Sequence, residues 1–211
     1  MLKKYEFTNE TKKVKGYLGN FHTLHRIKAL KDFGDVKKGD LGGWLEKESN
    51  LSHEGNCWVY GNAMVYGDAQ VYGHAQVFGD AKVFANAWVY GHAQVCGNAQ
   101  VCGNAQVYGH ALVFANAWVY GSARAYDFAK VYDAQVYDHA QVYGNALACS
   151  NAQVFGDAKV YDDAQVYSDA QVYGHAQVCG NAQVYDYAQV YGNAQVHGNA
   201  EVCGNTEVLG D

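Results

Sequence analysis

Three histidines come closest to a spacing that could do chemistry. His74, His92 and His110 follow one another at intervals of 18 residues. If 18 residues make one turn of a coil, the three imidazoles form a column with neighbours ~4.8 Å apart. Imidazole is the commonest metal ligand. The column lacks the second nearby histidine that a metal site needs, and no carboxylate stands on it to orient a ring. His139 and His175 fall on another face. His, Asn and Asp also exchange freely at this position, as turn residues do. The column is the one metal candidate, and the expectation is no metal, no cofactor and no catalytic residue. Six cysteines lie inside the repeat without a CxxC pair, so they read as reduced thiols in a cytoplasmic protein.

Aromatic residues are the more unusual feature. Of the 18 tyrosines, 15 occupy one position of a recurring unit, among them Tyr60, Tyr66, Tyr72, Tyr90 and Tyr108. Phe78, Phe84, Phe114 and Phe155 replace Tyr elsewhere. Gln70, Gln76, Gln94, Gln100 and Gln106 stand beside them. In stacked coils these positions become aromatic and Gln ladders on all three faces. Such ladders stabilise parallel in-register strands. They also offer an exposed aromatic surface to a partner.

The element that must position all of these is a hexad. Valine recurs every six residues from Val59 to Val119, the phase passes through Ala125 and Val131, and it resumes from Val136 to Val208. One pentad, Val131-Tyr132-Asp133-Ala134-Gln135, interrupts it. The typical unit is Val-Tyr-Gly-Asn-Ala-Gln. Ala-Gln-Val-Tyr alternates in and out like a short strand, and Gly-Asn supplies a turn. Period six places valine on no single face of a helix, and glycine would interrupt it. Corners that always turn the same way exclude an antiparallel sheet. The fold class that follows is all-β: a single-stranded, left-handed, parallel β-helix, triangular, of about nine coils. Residues 46–211 form this solenoid. Residues 1–45 form a small N-terminal β cap, needed because the first coil would expose an unpaired, apolar edge. Within the cap, Tyr5-Glu6-Phe7 and Val14 to Leu18 flank Asn9-Glu10-Thr11 as a hairpin, and Leu24 to Leu30 reads as a further strand. Gly34, Gly39, Gly42 and Gly43 mark tight turns. Trp44 and Trp58 fall at the junction of cap and core.

The segment Leu24-His25-Arg26-Ile27-Lys28-Ala29-Leu30, followed by Asp32-Phe33-Gly34-Asp35-Val36, Gly39, Gly42-Gly43-Trp44, Asn50-Leu51-Ser52 and Gly55-Asn56-Cys57-Trp58, resembles the leading segment of YdcK-like β-solenoid proteins. The resemblance is specific over about residues 24–63 and looser across the array. It implies a left-handed β-helix of the broader hexapeptide-repeat superfamily, with no settled biochemical role. That superfamily is best known for acyltransferases, which use a loop protruding from the coil, a histidine base and a trimer cleft. This array has a deletion and no insertion, so no wall would position an acyl donor.

Charge narrows the partners. The chain of 211 residues carries a net charge of −6. Residues 1–40 hold ten Lys/Arg and five Asp/Glu, so the cap is basic and the remainder acidic. Nucleic acid is not favoured. No apolar run is long enough to span a membrane or to act as a signal peptide. The nine-residue stretch Val83 to Gly91 recurs identically at Val113 to Gly121, which places Trp88 and Trp118 on different faces. Selection for one flat binding face should suppress such copies. Val202, Val208 and Leu209 are expected to form an open coil end that associates with itself, as a dimer or head-to-tail with the basic cap as a filament. The function expected is a non-enzymatic scaffold that presents repeated surface to itself or to a protein partner. The alternatives are a binding module or sponge for a small molecule or host factor, and a degenerate hexapeptide-repeat acyltransferase.

Overall fold

The computed structural model describes residues 3–16 and 19–211. From Trp58 onward the chain makes strands of two to four residues separated by short corners, and each strand pairs in parallel with a strand one coil away. Three sheets result. Face I contains Met64–Val65, face II Trp58–Val59 and face III Gln70–Val71. The solenoid is therefore triangular, with about nine turns. Among the described residues there is no α-helix, only one 3-10 turn at Glu48–Asn50.

The triangle's interior admits only small side chains. Valine and alanine of successive hexads fill it, and nearly all are fully buried. Close packing explains the restriction, because one added methylene in so narrow a prism has nowhere to go. Corners need a left-handed residue. At Gly103 (φ 72°) a Cβ would stand 2.8 Å from the Gly121 carbonyl oxygen of the next coil. Where glycine is absent, aspartate often takes the corner. Asp127, Asp138, Asp162 and Asp186 all have positive φ. Each carboxylate accepts a hydrogen bond, at 3.3–3.4 Å, from a glycine N–H of the next coil. That bond offsets part of the strain.

The pentad is absorbed at one corner. Strand register runs 18 residues per coil on either side, as in Gln100↔Lys82 and Gln135↔Gln153. Across the pentad it runs 17, as in Trp118↔Gln135. Asp133 alone takes the left-handed turn (φ 48°), and its carboxylate accepts from the Asn116 N–H and side-chain amide.

The cap departs from expectation in two places. β1 (Tyr5–Lys15) runs straight through Asn9-Glu10-Thr11, so no hairpin turn lies there. Those residues form an irregularity in register between Phe7 and Thr11, opposite β2 (Phe21–Ala29). Asn9 favours a turn by residue type, but pairing of the flanking residues with β2 keeps the segment extended. The reversal follows Lys15, where the Gly16 N–H donates to the Asn20 carbonyl at 2.7 Å. Tyr17 and Leu18, expected to be strand, lie outside the described residues. Gly42 and Gly43 are not turn residues either: both lie in β3 (Leu41–Leu45). Their role is close approach, since a Cβ on Gly43 would stand 2.5 Å from the Ala63 carbonyl oxygen.

β3 joins cap and solenoid. It pairs antiparallel with β2 and parallel with Met64–Val65, so face I runs unbroken from the cap into the coils. The cap also answers a hydrogen-bond requirement. In each internal coil the Ala, Val and corner carbonyls accept from N–H groups of the coil before, as in Trp88 N–H to the Ala105 carbonyl and Asn86 N–H to the Gly103 carbonyl. The first coil has no full predecessor, and side chains substitute. Lys4 Nζ donates to the carbonyls of Cys57 at 2.9 Å and of Glu54 and Gly55 at 3.4 Å. The Tyr5 hydroxyl lies 3.0 Å from both the Glu48 and the Leu51 carbonyl oxygens, which share its one proton. Asn50 Nδ2 donates to Gly67 and Ala69 carbonyls at 3.0 and 2.8 Å. Lys4, Tyr5 and Asn50 are all fully buried. Burial lowers the Lys4 pKa.

Lys4→Met should destabilise the protein by about 1–3 kcal/mol, the usual cost of leaving buried acceptors unpaired. Lys3→Met removes only an exposed pair with Glu48 and should cost under about 1 kcal/mol. Thermal or urea unfolding of the two variants checks this, and equal effects would show that the Lys4 bonds do not close the first coil.

Candidate functional site

Stacking carries the outward residues into columns. On face III, Tyr72, Tyr90, Tyr108, Tyr126, Tyr143 and Tyr161 stack ring on ring with centroids 4.8–5.0 Å apart and planes within 6°. On face I, Tyr120, Tyr137, Phe155, Tyr173 and Tyr191 do the same. Face II carries shorter pairs, Phe114–Tyr132 and Tyr167–Tyr185. The aromatic ladders thus occupy all three faces. Trp88 and Trp118 lie on faces III and I respectively, both exposed by about two-fifths.

Glutamine acts differently from expectation. The amide-to-amide links between coils are carried by corner asparagines: Asn86 to Asn104, Asn98 to Asn116 and Asn181 to Asn199, each 3.2 Å. Glutamine accepts from tyrosine instead. The hydroxyls of Tyr126, Tyr137, Tyr161, Tyr167 and Tyr173 donate to Gln141, Gln153, Gln177, Gln183 and Gln189 of the next coil at 3.0–3.3 Å. The pairing recurs 15 or 16 residues apart, a spacing visible in the sequence once the coil length is known.

The histidine column forms as expected. His74, His92 and His110 stack at 4.7 and 4.9 Å with planes 5–6° apart, and Phe128 continues the stack at 5.0 Å. Parallel rings hold their nitrogens side by side, not converging on one point. Among the described residues no group of three or more His, Cys, Asp or Glu is placed to hold a metal ion. His139 and His175 line a different groove of about 640 Å³ with Asp157, Arg124 and Lys159. There His175 Nδ1 stands 3.6 Å from Asp157 Oδ2, and both side chains are mostly exposed.

The junction tryptophans part company. Trp58 is buried on face II against Tyr5 (6.1 Å, edge on) and Phe33 (5.3 Å, edge on). Trp44 lies on face I beneath Lys12 Nζ (4.4 Å) and the Arg26 guanidinium (5.6 Å). At the last coil Val202 is buried and Val208 half-buried, while Leu209 is 63% exposed. All six cysteines are free thiols. Five of them, Cys96, Cys102, Cys149, Cys179 and Cys203, occupy ring positions of the ladders. Aligning the hexads makes those positions visible in the sequence. Among the described residues no helix is long and apolar enough to cross a membrane.

Comparison with known proteins places the repeat. The sequence model of the YdcK beta solenoid repeat matches residues 59–74, 105–121 and 176–192. An Escherichia coli (strain K12) protein named "Uncharacterized acetyltransferase YdcK" is 51% identical over 37 residues. That stretch covers 18% of this chain and 11% of the relative, so the chain corresponds to a small part of the relative's length. The YdcK resemblance holds, and the repeat matches lie largely outside the leading segment that carries it in the sequence.

Burial holds Tyr72, Tyr90, Tyr108, Tyr137 and Tyr143 above the ordinary phenol pKa, with Tyr126 pushed to about 12. An unfolded tyrosine loses its proton near pH ~10. The folded state therefore keeps protons that the unfolded state releases, and stability is lost as pH rises from about 10 towards 12. Absorbance at 295 nm should show most phenols ionising together with unfolding. Ionisation near pH 10 with the fold intact would contradict buried, stacked ladders.

Proposed function

We propose that this chain, built of YdcK-type β-solenoid repeats, is a non-enzymatic interaction scaffold: a stiff cytoplasmic rod that presents repeated aromatic and amide surface to a second copy or to a protein partner. The observation that carries the reading is the continuity of the coil. From Trp58–Val59 to Gln189–Gly192 every strand is followed by a short corner and pairs with the strand one coil on. Side chains on such corners stand in open water, where nothing fixes a reacting pair or strengthens a charge interaction. Exposed Trp88, Trp118, Phe128 and Tyr187 supply apolar contacts of the kind that interfaces use. Exposed Leu209 beside half-buried Val208 supports self-association.

A second reading is acyl transfer. The name of the Escherichia coli relative suggests it, and one groove favours it. His175 faces Asp157 there, while Arg124 and Lys159 supply positive charge that suits the phosphates of a nucleotide-linked donor.

Light scattering and calorimetry with acetyl-coenzyme A separate the two. The scaffold reading expects a dimer or larger species at tens of micromolar, a monomer for Leu209→Asp, and no saturable heat with acetyl-coenzyme A. A trimer that binds acetyl-coenzyme A, with binding lost in Arg124→Ala, would sink the scaffold reading in favour of the transferase.

A further inference from the structure

The face I ladder has one missing ring. Tyr66 and Phe84 stack at 5.1 Å, and Tyr120 begins the next run by stacking on Tyr137 at 4.8 Å. Between Phe84 and Tyr120 the ring position is held by Cys102. At one coil per ~4.8 Å, the two rings flanking that position lie roughly 10 Å apart. That is the distance at which one further ring can stack on both.

Cysteine interrupts other ladders as well: Cys96 on face II likewise stands between Phe78 and Phe114, but with Leu112 in the place that Trp118 takes beside Cys102, and the other three follow tyrosines. Cys149, Cys179 and Cys203 each follow a tyrosine one coil on, and each thiol raises the pKa of that phenol: Tyr132, Tyr161 and Tyr185. The ring before Cys102 is Phe84, which has no hydroxyl to close the gap. A groove of about 490 Å³ remains, with Phe84, Cys102, Tyr120 and Trp118 on its walls. That volume lies within the usual range of small-molecule pockets. Trp118 stands edge-on to Tyr120 (6.3 Å, 83°) and is 43% exposed, so it forms an apolar side wall. Gln100 adds one amide, and no lining residue is charged. Burial pushes the Cys102 thiol up to about 11, which keeps the floor of the groove neutral.

We propose that this groove binds a neutral, planar aromatic compound of one or two fused rings, which completes the ladder by stacking between Phe84 and Tyr120 over Cys102. The charge of the groove selects the class. A carboxylate or sulfonate would find no cation among the lining residues and would sit on a solenoid that is itself acidic. The site goes beyond the scaffold reading and does not require it.

The test uses N-phenyl-1-naphthylamine, a neutral dye whose emission rises in apolar surroundings, and its sulfonated counterpart 8-anilino-1-naphthalenesulfonate. The wild-type chain should bind one equivalent of the neutral dye saturably, and the sulfonate at least tenfold more weakly. Cys102→Phe places a ring in the gap, as Phe155 does in the same column between Tyr137 and Tyr173. It should lower affinity for the neutral dye at least tenfold while the melting temperature holds or rises. Trp118→Gln, at an exposed position, should also weaken binding and decides the matter if Cys102→Phe fails to fold. Absence of saturable binding, unchanged binding in Cys102→Phe or Trp118→Gln, or equal binding of the sulfonate overturns the proposal.

Discussion

In each coil, outward residues donate their N–H groups to Ala and Val carbonyls of the coil above, and the rest of the molecule depends on that parallel ladder. It holds successive coils in register, so a residue type repeated in the sequence becomes a column in space. Register also fixes the width of the interior, which is why valine and alanine alternate through it with so little variation. The ladder is one-directional in its needs. A first coil lacks donors for its inward carbonyls, and the buried side chains of Lys4, Tyr5 and Asn50 meet that need in the way a capping residue serves a helix end.

Columns explain the surface as well as the core. Stacked tyrosines shield one another and reach glutamine in the next coil, so an outward face becomes a second, partly dry layer. Aspartate at left-handed corners ties itself to the glycine N–H above, which lets the corner vary without loosening the stack. The pentad shows the same tolerance: one residue fewer is taken up at Asp133, and the strands beyond it return to their 18-residue register. A rod assembled this way is stiff and presents its surface over its whole length. These properties suit a scaffold, with any single site arising where a column is broken.

The periodic part of this fold is legible in the sequence because each hexad states both its inward and outward residues. Three sheets, nine turns, the buried Val and Ala columns and the histidine stack all follow from counting by six and by 18. The cap is less legible. Nothing local marks Lys4 as a buried donor, since its acceptors, the carbonyls of Glu54, Gly55 and Cys57, lie some fifty residues away. Asn9-Glu10-Thr11 looks like a turn by composition and is held extended by pairing with β2. Gly42 and Gly43 look like turn residues, and their small size serves the passage of β3 over Ala63. Cross-coil bonds from Tyr126 to Gln141 or Tyr167 to Gln183 need side-chain directions that residue spacing does not supply. The groove at Cys102 depends on which ring stands one coil earlier, phenylalanine at 84 in place of the more usual tyrosine.

Deleting residues 156–173, one complete coil, tests continuous in-register stacking most directly. Phe155 would then meet Gly174 with the hexad phase and all three faces preserved. Stacking of interchangeable coils predicts a folded protein with the same far-ultraviolet circular dichroism per residue, a single unfolding transition and a modestly lower melting temperature. Deleting residues 159–173 instead moves inward residues outward and should abolish cooperative unfolding. Loss of structure in the full-coil deletion, or equal tolerance of both deletions, would contradict the dependence of the fold on that register.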